Sequence, residues 1–127
     1  MKTAYVDSSC VIAVALSEPG WKRIARRLGG FDVLHSANLL EAEVRSAMNR
    51  EHLDGDDSLL LGSIRWIFPV ETLSAEIVRV LDEGHLRGAD LWHLACALHF
   101  APDPSEISFL TLDTEQAGIA RRLGFQE

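Results

Sequence analysis

Short runs of apolar residues alternate along the chain with longer stretches that have helical periodicity. Four runs rich in β-branched and aromatic residues predict strands. These strands are residues 3–7, 31–36, 69–73 and 107–113. Between them, apolar residues recur every three or four positions, which predicts helices. The predicted helices are residues 8–18, 21–30, 37–53, 59–68, 74–86, 89–100 and 114–125.

Serine, glycine and proline mark the expected ends of these elements. Ser8 or Ser9 is the expected N-terminal cap of the first helix. The DGDD run at 54–57 predicts a turn that starts a helix, and Pro69 is expected to end that helix before the third strand. A short edge strand is expected to follow the last helix.

Strands that alternate with helices predict a parallel sheet covered by helices on both faces. The expected fold class is therefore α/β, a three-layer α/β/α sandwich with a central parallel sheet of four to five strands. In such folds ligands bind at the carboxyl ends of the strands. This edge of the sheet is where functional side chains are expected.

Length and composition are those of a protein with a substantial core. The chain has 127 residues, of which 47% are hydrophobic, so we expect one domain over residues 1–127. Apolar runs stay far below the roughly 20 residues of a membrane span, and no signal peptide or membrane partner is expected. Cys10 and Cys96 lie in apolar helical patterns and are expected to be buried, reduced thiols. A cytoplasmic location is the expectation.

Four acids interrupt the apolar patterns at positions that are far apart in the chain. They are Asp7, Glu43, Asp90 and Asp113. Asp7 ends the first strand and Asp113 ends the fourth, so both belong at the ligand-binding edge. Either could instead cap the helix that follows it, although neighbouring serine and threonine residues could also supply those caps.

Glu43 differs from its neighbour Glu41 in the direction that it faces. At about 100° per residue, Glu43 falls inside the apolar arc of its helix. Glu41 faces Arg45, four residues on, which is the spacing of a surface ion pair. An inward glutamate is costly unless it is paired. Glu43 is therefore a candidate ligand, with an internal salt bridge to an arginine as the alternative.

Asp90 begins a helix that is otherwise almost entirely apolar, LWHLACAL at 91–98. Acids favour helix N-termini through the helix dipole, but a helix that is apolar on all sides is buried. Asp90 is therefore expected at a partly buried site. His93 lies one turn later, and a packed or hydrogen-bonded core histidine is more expected there than a metal ligand.

Converging carboxylates repel each other, and a bound cation reverses that repulsion. Two carboxylates about 4 Å apart repel by about 4 kcal/mol at an effective dielectric constant of 20. Carboxylates without nearby thiolates favour Mg²⁺ or Mn²⁺ over zinc. Such an ion polarises a phosphoryl oxygen and activates a water molecule, so the pattern predicts a phosphodiester hydrolase. No nucleophilic triad or glycine-rich phosphate loop offers a competing chemistry.

The net charge of −7, from 19 acids and 12 bases, is unusual for a nucleic-acid-binding protein. Setting aside the four candidate ligands leaves 15 acids against the 12 bases, a much smaller imbalance. The bases also cluster within residues 22–27. A globally acidic chain in addition suits a basic protein partner.

Four sequence blocks together resemble the PIN-domain ribonucleases, specifically the VapC-type toxins of prokaryotic toxin–antitoxin systems. The blocks are YVDSSCVIA at 5–13, LLEAEVRSAM at 39–48, GADLWHLACAL at 88–98 and FLTLDTEQAGIARRLGF at 109–125. Each block is short, but the four occur in the family's order and at the family's spacing. They carry Asp7, Glu43, Asp90 and Asp113, respectively.

This resemblance implies a PIN-like sandwich and a Mg²⁺- or Mn²⁺-dependent endoribonuclease. It implies cleavage of RNA to 5′-phosphate and 3′-hydroxyl ends, a homodimer, and a cognate antitoxin with a basic tail that covers the active site. The resemblance places the metal at Asp7 and Asp90, with help from Glu43 and Asp113.

Further roles are expected for residues around these acids. Ser9 and Thr111 would hydrogen-bond the carboxylates. Glu115, where many family members have an acid or asparagine nearby, is expected to be solvated or to act through water. Three arginines are candidate phosphate contacts or, alternatively, a solvated helix face: Arg23, Arg26 and Arg27.

Other functions remain open from the sequence alone. A signalling receiver domain also gathers acids around Mg²⁺, but it needs a lysine that this chain lacks near its late strands. A catalytically silent PIN-like binding module is a second alternative. A third keeps the nuclease chemistry but places it in RNA processing outside a toxin–antitoxin pair.

Overall fold

The computed structural model describes residues 1–53 and 58–127, with backbone only at Ser58 and Leu59. The turn expected at 54–57 lies outside the described residues. Four strands form the sheet: β1 (Thr3–Val6), β2 (Val33–Ala37), β3 (Ile64–Ile67) and β4 (Ser108–Leu110). The helices are α1 (Ser8–Ala15), α2 (Trp21–Gly29), α3 (Leu39–Arg50), α4 (Ser58–Leu61), α5 (Ser74–Glu83), α6 (Gly88–Phe100) and α7 (Thr114–Leu123). A 3-10 turn at Pro104–Glu106 precedes β4.

All strand pairs are parallel, and the order across the sheet is β3-β2-β1-β4. The central strand β1 places Tyr5 opposite His35 of β2 and Phe109 of β4. Beyond α7, Gln126 forms a parallel bridge to Ser108, where the sequence predicted a short edge strand. The expected parallel sheet of four to five strands is confirmed.

Helices cover both faces of the sheet, because successive residues of a strand point to opposite sides. Tyr5 of β1 packs in a core formed mainly by α5, α6 and α7. Its neighbours Ala4 and Val6 pack on the other side against α1 and α3. The predicted three-layer α/β/α architecture is therefore confirmed. No helix within residues 1–53 and 58–127 is long and apolar enough to cross a membrane.

The third strand differs from its predicted position. The sequence predicted a helix over 59–68 and a strand over 69–73, and both predictions are wrong. Helix α4 ends at Leu61, and β3 occupies Ile64–Ile67, paired with β2. Gly62 favours the end of the helix, and the β-branched and aromatic side chains of β3 fit a pleated sheet. The segment that was predicted as a strand begins with Pro69, which lacks the N–H donor that a sheet ladder needs.

Candidate active site

Asp7 lies directly after β1 and caps α1. Its Oδ2 accepts hydrogen bonds from the Ser9 N–H at 3.2 Å and from the Ser9 hydroxyl at 2.7 Å. Thr111, which follows β4, approaches the same oxygen with its hydroxyl at 3.1 Å. The expectation that Ser8 or Ser9 caps α1 is wrong, because Asp7 itself takes the cap position. Ser9 instead uses its hydroxyl to hold the Asp7 carboxylate.

The second oxygen of Asp7 has a different environment. Asp7 is only 2% exposed, and its Oδ1 has no hydrogen-bond partner within the described residues. A buried charged acceptor without a donor costs folding free energy, on the order of 1–3 kcal/mol or more. One carboxylate oxygen is thus held by the Ser9 N–H and hydroxyl, with the Thr111 hydroxyl beside it, while the other has no donor among the described residues.

Glu43 reaches the same region from α3. Its Oε1 lies 2.6 Å from Nε2 of His93, a fully buried residue of α6. The same nitrogen lies 3.9 Å from Asp7 Oδ1. Glu43 therefore faces inward and pairs with a histidine, rather than with an arginine as the alternative interpretation had it. Glu41 makes the expected surface pair with Arg45 at 2.8 Å.

Tyr5 holds the other side of the His93 ring. Its hydroxyl lies 2.6 Å from His93 Nδ1 and accepts the backbone N–H of Ala37 at 3.1 Å. Burial raises the pKa of Tyr5 well above its usual value, so this hydroxyl keeps its proton. Strand β1, strand β2 and helices α3 and α6 are thereby joined through one buried ring.

Asp90 lies in the first turn of α6 and is partly buried. Its pKa is raised above the usual value, first by burial and then by the charges of Asp7, Asp113 and Glu43, while His93 acts in the opposite direction. Each of the other three candidate acids therefore lies within electrostatic reach of Asp90. The structure brings all four acids to one edge of the sheet.

Asp113 caps α7, with its Oδ1 accepting the Gln116 N–H at 2.8 Å. Gln116 is fully buried beneath the acids. Its side chain accepts the Thr111 hydroxyl at 2.7 Å and donates to the Asp90 backbone carbonyl at 3.1 Å. Gln116 thus ties together the loop after β4, the start of α6 and the start of α7.

Two residues of this network, Tyr5 and Gln116, were not singled out from the sequence. Tyr5 lies in a fully buried strand, and a buried hydroxyl requires a partner. Gln116 stands three residues after the helix cap, where a capping box would be expected. These signals indicate that the side chains are hydrogen-bonded, but not to which distant residues.

The remaining candidates lie outside the cluster of acids. Arg23, Arg26 and Arg27 are exposed on α2, and Glu115 is exposed in the first turn of α7. The charge of Arg27 lowers the pKa of Cys10 of α1, and the charge of Asp7 raises it. The basic side of α2 is therefore in the neighbourhood of the site without entering it.

The donor set fits a hard divalent cation. Within residues 1–53 and 58–127, no three His, Cys, Asp or Glu side chains form a ready-made metal-binding group. The chemistry nevertheless favours an ion. The donors are carboxylate oxygens, Asp7 Oδ1 is buried without a partner among the described residues, and burial together with like charges raises the pKa of Asp90. The residues that would hold the ion are Asp7, Asp90, Glu43 and Asp113.

Comparison with known proteins gives one family. No curated protein matches the chain. The PIN domain family matches it over residues 4–122, nearly its full length, and this range contains all four acids. PIN domains are generally nucleases that use divalent metal ions, and the parallel sheet with acids at its carboxyl edge agrees with that fold. The chain belongs to the PIN domain family.

Proposed function

We propose that this protein is a Mg²⁺- or Mn²⁺-dependent endoribonuclease and the toxin of a toxin–antitoxin pair. The observation that carries the nuclease proposal is the state of Asp7. Its carboxylate is buried, with Oδ2 held by Ser9 and contacted by Thr111 and with Oδ1 lacking a partner among the described residues. Such an arrangement is unfavourable for folding alone, which supports a role in binding a cation.

In this proposal the acids bind the metal ion, and their neighbours orient the acids. A bound Mg²⁺ or Mn²⁺ ion would polarise a phosphoryl oxygen and lower the pKa of the attacking water. Asp7 and Asp90 would hold the ion, with Glu43 and Asp113 assisting directly or through water. Ser9 and Thr111 keep the Asp7 carboxylate in one orientation through the hydrogen bonds described above.

RNA is the proposed substrate, and its phosphates need positive charge beside an acidic site. Helix α2 supplies that charge, because Arg23, Arg26 and Arg27 are all exposed on it. Contacts of this type position a nucleic acid without reading its sequence. We therefore assign α2 to backbone binding and leave base selection to other surfaces.

The toxin role predicts two protein contacts. An antitoxin with a basic tail would complement the cluster of acids electrostatically. A homodimer would cover part of the apolar surface, which includes Phe68, Val70 and Val78, exposed to 64%, 93% and 58%. Sedimentation of the purified protein tests the dimer. Co-expression with the product of an adjacent gene tests the antitoxin. The toxin role predicts that the chain alone arrests growth and that co-expression relieves the arrest.

Incubation of the purified protein with single-stranded RNA in Mn²⁺ tests the nuclease proposal. We expect endonucleolytic products that are lost in EDTA and lost in Asp7→Asn and Asp90→Asn. Glu43→Gln and Glu41→Gln form a matched pair, because both residues lie on α3 and only Glu43 faces His93. Glu43→Gln should lower the cleavage rate by about 100-fold or more, which is the usual effect of removing one group that stabilises charge in the transition state. Glu41→Gln should leave the rate unchanged.

Two results would contradict the proposal. One is intact RNA after incubation of folded wild-type protein with either metal. The other is normal cleavage by folded Asp7→Asn. Cleavage of DNA in place of RNA would keep the hydrolytic chemistry and reject the proposed substrate.

A further inference from the structure

His93 is a buried group near the acids that the proposed chemistry does not use. The imidazole is fully buried, and both of its nitrogens have partners at 2.6 Å: Tyr5 on one side and Glu43 on the other. A buried polar network with short hydrogen bonds at each step fixes the orientation of its members. Glu43, the last member of this network, is a candidate metal ligand.

The direction of the hydrogen bonds follows from the donors at each step. The Glu43 carboxylate oxygen only accepts, so the ring proton lies on Nε2 and is donated to Glu43 Oε1. With that proton on Nε2, Nδ1 accepts the Tyr5 hydroxyl proton, while the Tyr5 oxygen accepts the Ala37 N–H. Tyr5, held by the backbone of β2, thereby supports this tautomer of a histidine on α6.

We propose that His93 is a positioning residue for the metal site, whose Nε2–H holds Glu43 beside Asp7, and that Tyr5 supports the tautomer on which this depends. The inference rests on the proposed function, because it assigns Glu43 to the cation. Nε2 lies 2.6 Å from Glu43 Oε1 and 3.9 Å from Asp7 Oδ1, so one N–H faces carboxylates from two different elements.

Repulsion among the acids explains why Glu43 needs a hydrogen bond from His93. Asp7 is fixed at its helix cap, while Glu43 reaches the site on a longer side chain that is about a quarter exposed. Without a cation, repulsion from the carboxylates of Asp7 and Asp90 favours movement of Glu43 toward solvent. The hydrogen bond from His93 opposes this movement and keeps an acid in place for the ion. Outer partners of this kind typically change metal affinity by about 10–100-fold.

The same helix provides a matched control. His99 of α6 also pairs with a glutamate, with Nδ1 lying 3.0 Å from Glu76 Oε2, but this pair is at the exposed end of the helix. His99→Leu therefore removes a His–Glu pair without touching the acids. His93→Leu removes the donor at similar volume, His93→Gln keeps an N–H donor near the position of Nε2, and Tyr5→Phe removes only the hydroxyl.

Mn²⁺ affinity, measured by electron paramagnetic resonance without RNA, tests the inference. We expect His93→Leu to raise the Mn²⁺ Kd by about 10–100-fold, His93→Gln to restore most of the affinity, and Tyr5→Phe to weaken binding to a smaller extent. His99→Leu should bind Mn²⁺ as the wild type does. In RNA cleavage, the half-saturating Mn²⁺ concentration of His93→Leu should rise, while KM for RNA at saturating metal should not. Circular dichroism in EDTA checks that each variant is folded.

A second measurement needs no variant. Nitrogen-15 NMR of the wild-type histidine rings should show His93 with its proton on Nε2 and with Nδ1 unprotonated. A proton on Nδ1 would overturn the role of Tyr5. Unchanged Mn²⁺ affinity in folded His93→Leu would overturn the positioning role and leave the nuclease proposal intact. Wild-type protein that binds Mn²⁺ and spares RNA would reject the nuclease, while the positioning role is still decided by the Mn²⁺ affinities.

Discussion

At the scale of single residues, Asp90 shows the cost of assembling the site. Burial and three neighbouring acids raise its pKa, so the metal-free folded protein binds this proton more tightly than the unfolded chain does. Its contribution to the free energy of unfolding is therefore fully present below the unfolded pKa and is lost as pH rises through the folded pKa. We expect Asp90→Asn to be more stable than the wild type at neutral pH in EDTA.

Urea unfolding in EDTA at neutral and at acidic pH checks this expectation. The gain from Asp90→Asn should shrink as the pH falls, because the wild-type carboxyl then becomes protonated. Asp82→Asn, at an exposed position of α5, is the control and should change little. A stability gain that is equal at both pH values would show that charge at Asp90 is not the cause.

The two cysteines give a second prediction at this scale. Burial raises the pKa of each thiol to about 12, with further contributions from Asp7 at Cys10 and from Glu76 at Cys96. The reactive thiolate is therefore scarce at neutral pH. A disulfide-based thiol reagent should label neither cysteine in the folded protein and both in denaturant. Rapid labelling of Cys10 under native conditions would contradict this expectation.

How far the sequence reveals the site depends on whether a residue's signal is local. Glu43 could be separated from Glu41 because helical phase is a local property, and Asp7 could be placed because it ends a strand. The partner of Glu43 could not be predicted, since His93 is 50 positions away and nothing near Glu43 encodes that contact. The same holds for Gln116, whose local pattern indicates a cap while its side chain contacts Thr111 and the Asp90 carbonyl.

At the scale of elements, periodicity identified the helices and strands that have one dominant environment. Helix α6 is apolar on all sides, and the structure buries every residue from His93 to Leu98. The region between α3 and α5 was misassigned because its apolar residues run continuously from Leu59 to Leu61 and resume at Ile64. A short apolar run does not distinguish a helix from a buried strand. Pairing with β2, a tertiary contact, decides the outcome.

Contact between α5 and α7 gives a prediction at this scale, at Gly84 where α5 ends. A Cβ at this position would lie 2.9 Å from Cδ1 and 3.0 Å from Cγ1 of the buried Ile119. Gly84→Ala should therefore lower the free energy of unfolding by about 1–3 kcal/mol, as overpacking usually does. Gly29→Ala is the control, because no described atom outside its own helix and its chain neighbours lies within 4 Å of the added Cβ.

Gly29→Ala should instead raise stability by about 0.5–1 kcal/mol, because alanine is the better residue in a helix. Urea unfolding of both variants measures the difference. A Gly84→Ala protein as stable as the wild type would show that Ile119 can move aside at no cost, and that α5 and α7 are packed less tightly than the structure indicates.

At the scale of the whole molecule, charge is separated rather than balanced. The net charge is −7, yet the acids that matter most are gathered at one edge of the sheet and a basic helix lies nearby. Cys10 lies within electrostatic reach of both the acids and α2, because Asp7 raises its pKa and Arg27 lowers it. A substrate with a charged backbone can therefore meet positive charge on α2 while one of its phosphates is held at the acids.

This separation predicts how RNA binding depends on salt. Each phosphate contact on single-stranded nucleic acid contributes about −0.7 to the slope of log affinity against log salt. If Arg23, Arg26 and Arg27 each contact a phosphate, replacing all three with glutamine should weaken RNA binding and make the slope shallower by about 2. Binding would be measured by fluorescence anisotropy across a salt series, in an Asp7→Asn background that keeps the RNA intact.

Arg65, Arg79 and Arg121 provide the control for overall charge. All three are exposed, and Arg121 lies in the last turn of α7, at the opposite end of that helix from Asp113. Replacing them with glutamine makes the protein more acidic without touching α2, so the salt slope should stay as in the parent protein. If the control and the α2 variant weaken binding alike, long-range attraction would explain the effect. A loss confined to α2, with the shallower slope, would assign the phosphate contacts to that helix.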